Sequence, residues 1–423
     1  MEEKVSRITK NGWILVLIPW ISYIISSVAN YGIGIMLPAM RAELHFGLAE
    51  AGYLSAIAWI IRLVTTIPIT SLVTKIRPKT IYTGLFLCMG VGFVLQGIAT
   101  NLPMVFVGRA LAIGIMACIS TILVPIKIKW IPEDKITFIN GIENMCGTGG
   151  QMLGTVTVPI LIVALSGWRN IMLLMGVLSF ILVIVWAGFV RDTKPDHPKV
   201  KETHEGETKS PLLEALKLKQ LWLLAIGWPF SIIAWISIYT FWPTYAIESL
   251  GLTLAQSGMI LGLLPIFSMI SSFITPILAE KVGYEKPFMW VCGIALPICY
   301  LSMINTSSIP LLCIASAAAG YFVYTYVPIG FSLLYKIPGI KSDVVSMGYS
   351  VVYTMLSIGG VLGGIVAGKL SSIFGLYFGM TVCCCAPLVF GICTFMLPEY
   401  GRKYRERLAR ENKTASTSEQ ANA

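Results

Sequence analysis

Twelve long apolar segments fill most of this 423-residue chain, and they constrain its fold more than any other feature. Each segment is long enough to cross a hydrocarbon core of about 30 Å as an α-helix. Charged residues make up only 12% of the chain, well below the share of about 25% in soluble domains. The sequence therefore predicts an all-α integral membrane protein with twelve transmembrane helices. The predicted spans are residues 13–37, 51–72, 80–100, 103–126, 138–164, 169–190, 220–245, 256–278, 287–305, 309–334, 344–367 and 374–397.

One long polar break divides the apolar segments into two sets of six. It covers residues 191–219, where charges of both signs alternate and apolar residues are few, as in a solvated linker. The predicted organisation is a cytoplasmic amino terminus (1–12), a six-helix bundle (13–190), a cytoplasmic linker (191–219), a second six-helix bundle (220–397) and a basic cytoplasmic tail (398–423).

The net charge of +10 is distributed unevenly between the connecting segments. Only Arg41, Arg169 and Lys369 fall in odd-numbered loops, whereas the amino terminus, the tail and the even-numbered loops carry most of the lysines and arginines. Positive charge concentrates on the cytoplasmic side of membrane proteins. We therefore expect a multi-pass protein of the cytoplasmic membrane with both termini in the cytoplasm. The basic balance sets orientation, and nucleic acid is not an expected partner.

Several classes of chemistry lack the residues that they need. All ten cysteines lie within predicted spans, and the three histidines lie in loops. The sequence has no catalytic triad, no metal-ligand spacing and no nucleotide-binding loop, because Gly32-Ile-Gly34 lacks the strand and helix context of such a loop. We therefore expect no enzyme activity, no cofactor and no metal. A gradient of solute or protons would supply the energy for any transport.

The two halves contain matching segments at nearly constant spacing. Thr74, after the second span, corresponds to Glu280, after the eighth span and 206 residues later. A glycine-rich run in the fifth span, Gly149–Gly154, corresponds at a spacing of 210 residues to Gly359–Gly364 in the eleventh. Such glycines most simply permit close helix crossing. Duplicated halves of this kind form the basis of alternating access in many secondary transporters.

The chain resembles the major facilitator superfamily over essentially its full length. The loop after the eighth span is similar to the family's G-x-x-x-D-R-x-G-R-R loop, with Glu280, Lys281, Gly283 and Lys286 in matching roles. Arg109 in the fourth span resembles the arginine of the family's R-x-x-x-G motif, although the glycine follows one position late. The resemblance implies two six-helix pseudo-repeats, with cargo bound near the midplane between them.

The copy of the loop after the second span departs from the family pattern. Thr70 replaces the glycine, and Thr74, followed by Lys75, replaces the acid that usually belongs to the gate between the halves. The resemblance implies a gating or structural role for Thr74, Lys75, Glu280, Lys281, Gly283 and Arg109.

Arg62 lies closest to the middle of a predicted span, roughly 16 Å in at 1.5 Å per residue. It belongs to a stripe at helical spacing that includes Ser55 and Trp59. A guanidinium group can bind a carboxylate or nitrate through two hydrogen bonds. The chain is distantly similar to the anion-transporting branches of the superfamily (nitrate/nitrite, cyanate, organic anion). In the nitrate branch an arginine lies one turn later, and Ser268 and Ser272 replace its second arginine. Arg62 is thus predicted to hold a substrate charge; alternatively, it binds backbone carbonyls.

Aromatic and polar residues in the spans that line the pathway of this superfamily are candidates to surround the substrate. Tyrosine and tryptophan can hydrogen-bond a carboxylate while packing against an organic body, although interhelix packing is the alternative role. Glu143 is the one acidic residue within a predicted span and is the candidate for proton coupling; alternatively, it is a helix-start acid stabilised by the helix dipole. The predicted substrate contacts are Arg62, Asn30, Tyr31, Trp235, Tyr239, Tyr321, Tyr324, Tyr353 and Gln151.

These observations predict a monomeric secondary active transporter in the lipid bilayer. Its expected substrate is a small anion, a mono- or dicarboxylate, moved by alternating access with a proton or another ion as a candidate for coupling. The first alternative is a carrier or exporter of a neutral or cationic organic solute, in which Arg62 is structural. A second alternative is a membrane sensor that signals through the linker or the basic tail.

Overall fold

The computed structural model describes residues 10–73, 77–190, 211–337, 340, 342–404 and 406–407, which form helices and no strand. The helices before the linker are α1 (Lys10–Tyr31), α2 (Ile33–Leu44), α3 (Leu48–Val73), α4 (Pro78–Gly97), α5 (Leu102–Trp130), α6 (Glu133–Ala164) and α7 (Trp168–Phe189). The later helices are α8 (Pro211–Ala215), α9 (Lys219–Glu248), α10 (Leu254–Val282), α11 (Lys286–Asn305), α12 (Ile309–Leu333), α13 (Ser342–Phe374), α14 (Leu376–Cys385) and α15 (Pro387–Phe395), with a 3-10 turn at Leu334–Lys336.

Each of the twelve predicted spans corresponds to helical structure. In the described part of the chain, eleven segments are long and apolar enough to cross a membrane, and α5 holds a shorter apolar stretch at Leu102–Gly114. Two spans consist of a pair of helices: α1 and α2 are separated at Gly32, and α14 and α15 at Ala386. The second break precedes Pro387, which has no backbone N–H to continue the helix. The predicted all-α membrane fold is confirmed.

Several helices extend beyond the predicted span boundaries, and two of these extensions matter here. Helix α2 continues to Leu44, seven residues beyond the predicted end of the first span. Helix α5 continues to Trp130, whereas the fourth span was predicted to end at residue 126. Hydropathy falls where charged residues begin, but backbone hydrogen bonds can extend a helix beyond that point. As a result, Lys127 lies inside α5 and not in a loop.

The chain folds into two compact units, each assembled from separate stretches of sequence. The first unit holds residues 1–205, 236–265 and 360–380, and therefore includes parts of α9, α10 and α13. The second unit holds residues 206–235, 266–359 and 381–423. The predicted linker and tail, which include residues 191–210 and 408–423, lie mainly outside the described residues, and the domain bounds drawn from the sequence remain a prediction.

The glycine runs allow helices of the first unit to pack at short distance. A Cβ atom on Gly150 would lie 2.5 Å from Ser27 Cβ of α1, and one on Gly154 would lie 2.7 Å from Val28 O. A Cβ atom on Gly364 would lie 2.5 Å from Ser55 Oγ of α3. Real Cβ atoms do not approach other heavy atoms this closely, so these positions require glycine. The predicted role in helix crossing is confirmed at these glycines.

The core of the second unit contains buried aromatic residues with satisfied polar groups. The ring of Tyr326 lies 5.8 Å from that of Trp228 and 4.4 Å from that of Phe390. The hydroxyl groups of Tyr326 and Ser231 share a hydrogen bond of 2.6 Å. A buried tyrosine needs such a partner, so this pairing accounts for the polar end of the residue within the core.

Candidate functional site

A small cavity of about 30 Å³ lies within the first unit. Helices α1, α3, α5 and α9 contribute its polar and aromatic side chains. The polar lining residues are Asn30, Ser55, Arg109 and Thr240, and the aromatic ones are Tyr31, Trp59 and Tyr239. A concave site with a few converging polar groups and aromatic walls is typical of small-molecule sites.

Arg109 is the most deeply buried charged residue of this cavity, with 2% of its surface exposed. Its Nε donates a hydrogen bond of 2.9 Å to Leu54 O of α3, and its Nη2 donates one of 2.8 Å to Asn30 Oδ1 of α1. Because a guanidinium group can only donate, the amide of Asn30 must turn its oxygen toward Arg109. This orientation makes the amino group of Asn30 a second donor beside the guanidinium.

The charge of Arg109 has no carboxylate counter-ion among the described residues. The ion pairs of the described chain join other groups, and no acidic residue lines the cavity. A buried charge without a partner is destabilising by several kcal/mol. The cavity therefore presents a positive charge that a bound anion can neutralise.

The aromatic walls come from three helices of the first unit. The rings of Tyr31 and Tyr239 meet edge to face with centroids 5.4 Å apart. Trp59 forms another part of the lining, and the guanidinium carbon of Arg62 lies 5.8 Å from its ring centroid. Arg62 itself is half-buried and does not line this cavity. Trp59 thus borders the cavity and also lies close to Arg62.

The structure brings together four of the predicted site residues, together with Ser55 and Trp59 of the stripe that contains Arg62. Asn30, Tyr31, Arg109 and Tyr239 all line the cavity, although Arg109 was assigned to the structural motif and not to the substrate. The remaining predicted contacts do not line it. These are Arg62 and the buried Gln151 in the first unit, and Trp235, Tyr321, Tyr324 and Tyr353 in the second.

Glu143 of α6, the candidate for proton coupling, pairs with a lysine that the sequence prediction placed in a loop. Its Oε2 forms an ion pair with Lys127 Nζ of α5. Lys127 Nζ also donates a hydrogen bond of 2.7 Å to Asn140 Oδ1. Only 6% of Lys127 and 9% of Glu143 are exposed, so this is a buried ion pair.

The predicted gating loop after the eighth span connects α10 and α11. Gly283 has a φ of 81°, in the left-handed region that favours glycine. Glu280 and Lys281 are exposed at the end of α10. Glu285 is the buried acid of this loop, and Lys336 donates a hydrogen bond of 2.5 Å to its Oε1.

An acid beyond the last span also holds this loop. Glu399 accepts hydrogen bonds from the backbone N–H groups of Glu285 at 2.8 Å and Lys286 at 3.2 Å, where α11 begins. A carboxylate at this position suits the free N–H groups and the positive dipole end of a helix. In the degenerate copy of the motif, Thr74 and Lys75 lie outside the described residues.

Comparison with protein families identifies the chain. The model of the Major Facilitator Superfamily matches residues 19–304, which is more than half of the sequence. The chain belongs to this superfamily. The resemblance inferred from the motifs is thus confirmed.

Three curated relatives carry transporter names. The uncharacterized transporter YycB of Bacillus subtilis is 23% identical over 60% of this chain and 61% of its own length. The probable sulfoacetate transporter SauU of Cupriavidus necator is 24% identical over 62% of this chain and 63% of its own length. The probable nitrate transporter NarT of Staphylococcus carnosus is 24% identical over 80% of this chain and 84% of its own length. The chain thus spans less than two thirds of the first two relatives.

Solved structures of transporters share the superfamily fold. A bacterial homolog of the human lysosomal transporter Spinster, in an inward-facing and unoccupied conformation, matches with a TM-score of 0.79 and 14% identity over 92% of this chain and 97% of that chain. The nucleoside transporter NupG matches with a TM-score of 0.74 and 13% identity over 92% and 100%. At these identities the comparison establishes the fold alone.

Two contributors to the sites of this superfamily member were not predicted from its sequence. Lys127 was missed because its span was predicted to end one residue earlier. Thr240 was missed because hydroxyl residues are common in membrane helices, so their presence alone does not indicate a binding site. The spacing of 18 residues between Arg109 and Lys127 was the available clue, because it equals five full helical turns of 3.6 residues.

Proposed function

We propose that this protein is a secondary active transporter of a small organic anion, a mono- or dicarboxylate or an anion of similar size. The observation that carries the proposal is the buried charge of Arg109, which lines a cavity and has no acidic partner among the described residues. A bound oxyanion would supply the missing counter-charge. Arginine suits this task because its planar donors match the geometry of a carboxylate or nitrate.

The donors beside Arg109 support an anion over a neutral substrate. Asn30 uses its oxygen to hold Arg109, so its remaining polar group is a donor. Thr240 adds a hydroxyl group to the same lining, whereas the hydroxyl of Ser55 donates its proton to Gly52 O at 2.9 Å. A buried cation with hydrogen-bond donors beside it can bind an anion through charge-assisted hydrogen bonds.

The aromatic walls support a substrate with an organic part. Tyr31, Trp59 and Tyr239 provide flat surfaces in the same lining as the polar groups. Such rings pack against apolar groups while their polar ends remain available. Among the relatives, sulfoacetate and nitrate are the named cargoes, and both are anions. We assign the charge to Arg109 and the organic body to the aromatic residues.

Arg62 remains part of the proposal as a second cation. Its guanidinium carbon lies 5.8 Å from the ring centroid of Trp59, which lines the cavity. We propose that Arg62 attracts the anion or contacts it in another stage of the transport cycle. The cycle itself would follow the alternating access of the superfamily, in the cytoplasmic membrane with both termini in the cytoplasm.

A thermal-shift panel on purified protein in detergent tests the proposal. The panel contains acetate, benzoate, succinate, sulfoacetate and nitrate, with uridine and benzamide as neutral compounds. The decisive variant is Asn30→Asp, which keeps the size of the side chain and its bond to Arg109 but supplies an internal counter-ion. We expect an anion at about 100 times its Kd to stabilise the wild type by roughly 2.7 kcal/mol and to leave Asn30→Asp unchanged.

A matched control separates the local effect from the change in net charge. Asn305→Asp makes the same substitution at the exposed end of α11, and this variant should respond to anions as the wild type does. If neutral compounds stabilise the wild type and no anion does, the protein carries neutral organic solutes and the anion proposal fails. An equal anion response in Asn30→Asp and in the wild type would remove Arg109 from the site.

A further inference from the structure

Helix α13 packs against two side chains that line the cavity. A Cβ atom added to Gly360 would lie 2.1 Å from Cδ2 of the Trp59 ring, and one added to Gly364 would lie 2.5 Å from Ser55 Oγ. The two side chains are about one turn apart on α3, and the two glycines are about one turn apart on α13. Both contacts lie within the first unit. The α3 wall of the cavity therefore rests on glycines of α13.

The contact between α3 and α13 continues along both helices. A Cβ atom on Gly52 of α3 would lie 2.3 Å from Gly364 O, and one on Gly368 of α13 would lie 2.8 Å from Leu48 O. These neighbours are backbone atoms, which cannot rotate away as a side chain can. The position of Trp59 relative to α13 is therefore fixed by close packing of the two backbones.

The α9 wall of the cavity is held by another glycine. A Cβ atom on Gly34 of α2 would lie 2.1 Å from Tyr239 O and 3.1 Å from Thr240 O, and both of these α9 residues line the cavity. Because protein interiors are packed as densely as organic crystals, walls held in this way cannot move without disturbing their neighbours. Two walls of the cavity are thus fixed by helix crossings.

The volume of the cavity limits the size of its ligand. The cavity has a volume of about 30 Å³. A site for one water needs about 10–15 Å³, so the cavity has room for about two waters. Two waters take up about 60 Å³ in the liquid, which is close to the space of an oxyanion with three or four heavy atoms. Formate, nitrate and acetate are anions of this size, whereas benzoate, succinate and sulfoacetate are larger.

We propose that two glycines of α13, Gly360 and Gly364, set the size of the cavity by positioning its α3 wall, and that the substrate is an oxyanion of three or four heavy atoms. The inference rests on the proposed function and narrows its substrate class. Arg109 binds the oxygen atoms of the anion, and the indole of Trp59 limits the space for the rest of it. A larger residue at either glycine displaces this wall and changes which anions fit.

A series of anions of increasing length tests the inference. Purified protein in detergent is titrated with nitrate, formate, acetate, propionate and butyrate, and the melting shift gives each Kd. One methylene group in a closely fitting pocket changes binding by roughly 10-fold or more, so the Kd of butyrate in the wild type should be roughly 100 times that of acetate. Trp59→Ala removes the indole, and in this variant the two Kd values should differ by less than about 10-fold.

Gly360→Ala separates positioning of the wall from general packing. The added Cβ atom displaces the indole of Trp59, so the Kd of acetate should rise roughly 10-fold. In the Trp59→Ala background there is no indole to displace, and the same substitution should leave the Kd of acetate unchanged. This double-mutant cycle measures the coupling between the two positions.

Gly150→Ala is the matched control in the first unit. Its Cβ atom would lie 2.5 Å from Ser27 Cβ, and Ser27 is outside the cavity lining. The variant should therefore melt at a lower temperature and keep the wild-type ratio of the butyrate and acetate Kd values. A change of that ratio in Gly150→Ala as large as in Gly360→Ala would overturn the inference.

The remaining outcomes separate this inference from the proposed function. Equal Kd values for acetate and butyrate in the wild type overturn the inference and leave the anion proposal intact. So does a 10-fold effect of Gly360→Ala that persists without Trp59, and this comparison remains possible in the Trp59→Ala background if Gly360→Ala alone does not fold. If none of the five anions shifts the wild type, the proposed function fails and this inference fails with it.

Discussion

Asn30 Oδ1 accepts a hydrogen bond of 2.8 Å from Arg109 Nη2, which joins α1 to α5 at the wall of the cavity. The contact fixes the guanidinium group without neutralising it, because an amide carries no charge. A carboxylate in place of Asn30 would hold Arg109 equally well and would remove the positive charge of the cavity. An amide at this position therefore leaves the charge of Arg109 available to a bound anion.

Arg109→Lys should weaken both the fold and anion binding. A lysine keeps the charge, but its single ammonium group cannot reach Leu54 O and Asn30 Oδ1 in the geometry of the guanidinium. The displaced ammonium group should also lose one charge-assisted hydrogen bond to the anion. Such a bond contributes about 1.5–3 kcal/mol, so its loss should raise the Kd of the anion by roughly 10- to 100-fold. Titration of the melting shift with the anion measures both effects. An unchanged Kd would show that only the charge of Arg109 matters.

Arg62→Ala should abolish uptake by proteoliposomes while the protein is still expressed and inserted. The expected loss follows from the position of Arg62 beside Trp59, at the edge of the cavity lining. Arg62→Lys should also fail if the anion is held by two parallel hydrogen bonds, which lysine cannot form. Uptake at the wild-type rate by Arg62→Ala would assign this arginine to helix packing.

The hydropathy of the chain was sufficient to predict the number and order of the spans. Lipid forces every backbone polar group to find an internal partner, so long apolar segments in this composition can only be helices. The ends of the helices were less predictable. Lys127 shows why: it is buried by a partner on the next helix, Glu143, and a charge that is neutralised in this way does not end a helix.

The site was predictable in its residue types more than in its arrangement. Asn30, Tyr31 and Tyr239, three of the predicted substrate contacts, line the cavity, and their contact with a substrate remains a prediction. Arg62 was predicted to bind the substrate charge because it lies near the middle of its predicted span. The structure places Arg109 in the lining instead, and its partner Asn30 lies 79 residues away. Contacts across such a separation depend on helix packing, which the sequence alone does not specify.

Gly154→Ala should destabilise the protein, because helix α6 crosses α1 at this residue. An added Cβ atom would lie 2.7 Å from Val28 O and 3.1 Å from Gly32 N, and these are backbone atoms that cannot rotate away. Overpacking of this kind is destabilising by about 1–3 kcal/mol. The melting temperature in detergent, measured without ligand, reports the change.

Gly149→Ala is the matched control on the same helix. A Cβ atom at Gly149 would have no heavy atom within 4 Å, and alanine is the better helix former. Its melting temperature should equal or exceed that of the wild type. Equal losses in the two variants would mean that helix α6 is sensitive to any substitution in this run, and that the crossing at Gly154 is not the cause.

Glu43→Gln should lower the melting temperature at pH 7 and should make the melting temperature less sensitive to a fall in pH. Glu43, at the end of α2 and outside the candidate spans, accepts a hydrogen bond of 2.6 Å from Arg169 Nε and one of 2.7 Å from Trp168 Nε1. The hydrogen bond from Arg169, with that from Trp168 and the charge of Arg169, lowers the pKa of Glu43 below 4.5 despite a partial opposing effect of burial. A carboxyl group whose pKa is lowered by folding stabilises the fold above its unfolded pKa. This contribution is lost as the pH falls through the folded value.

The expected contribution is modest, because 47% of the Glu43 side chain is exposed and water screens the pair. Exposed ion pairs contribute up to about 1 kcal/mol. The melting temperature of the wild type should thus exceed that of Glu43→Gln at pH 7, and the difference should shrink below pH 4.5 as Glu43 is protonated. Melting curves recorded from pH 7 down through pH 4.5 and into more acidic buffer give the comparison. If the melting temperatures of the wild type and of Glu43→Gln change with pH in parallel over this range, the contacts of Glu43 with Arg169 and Trp168 do not stabilise the fold.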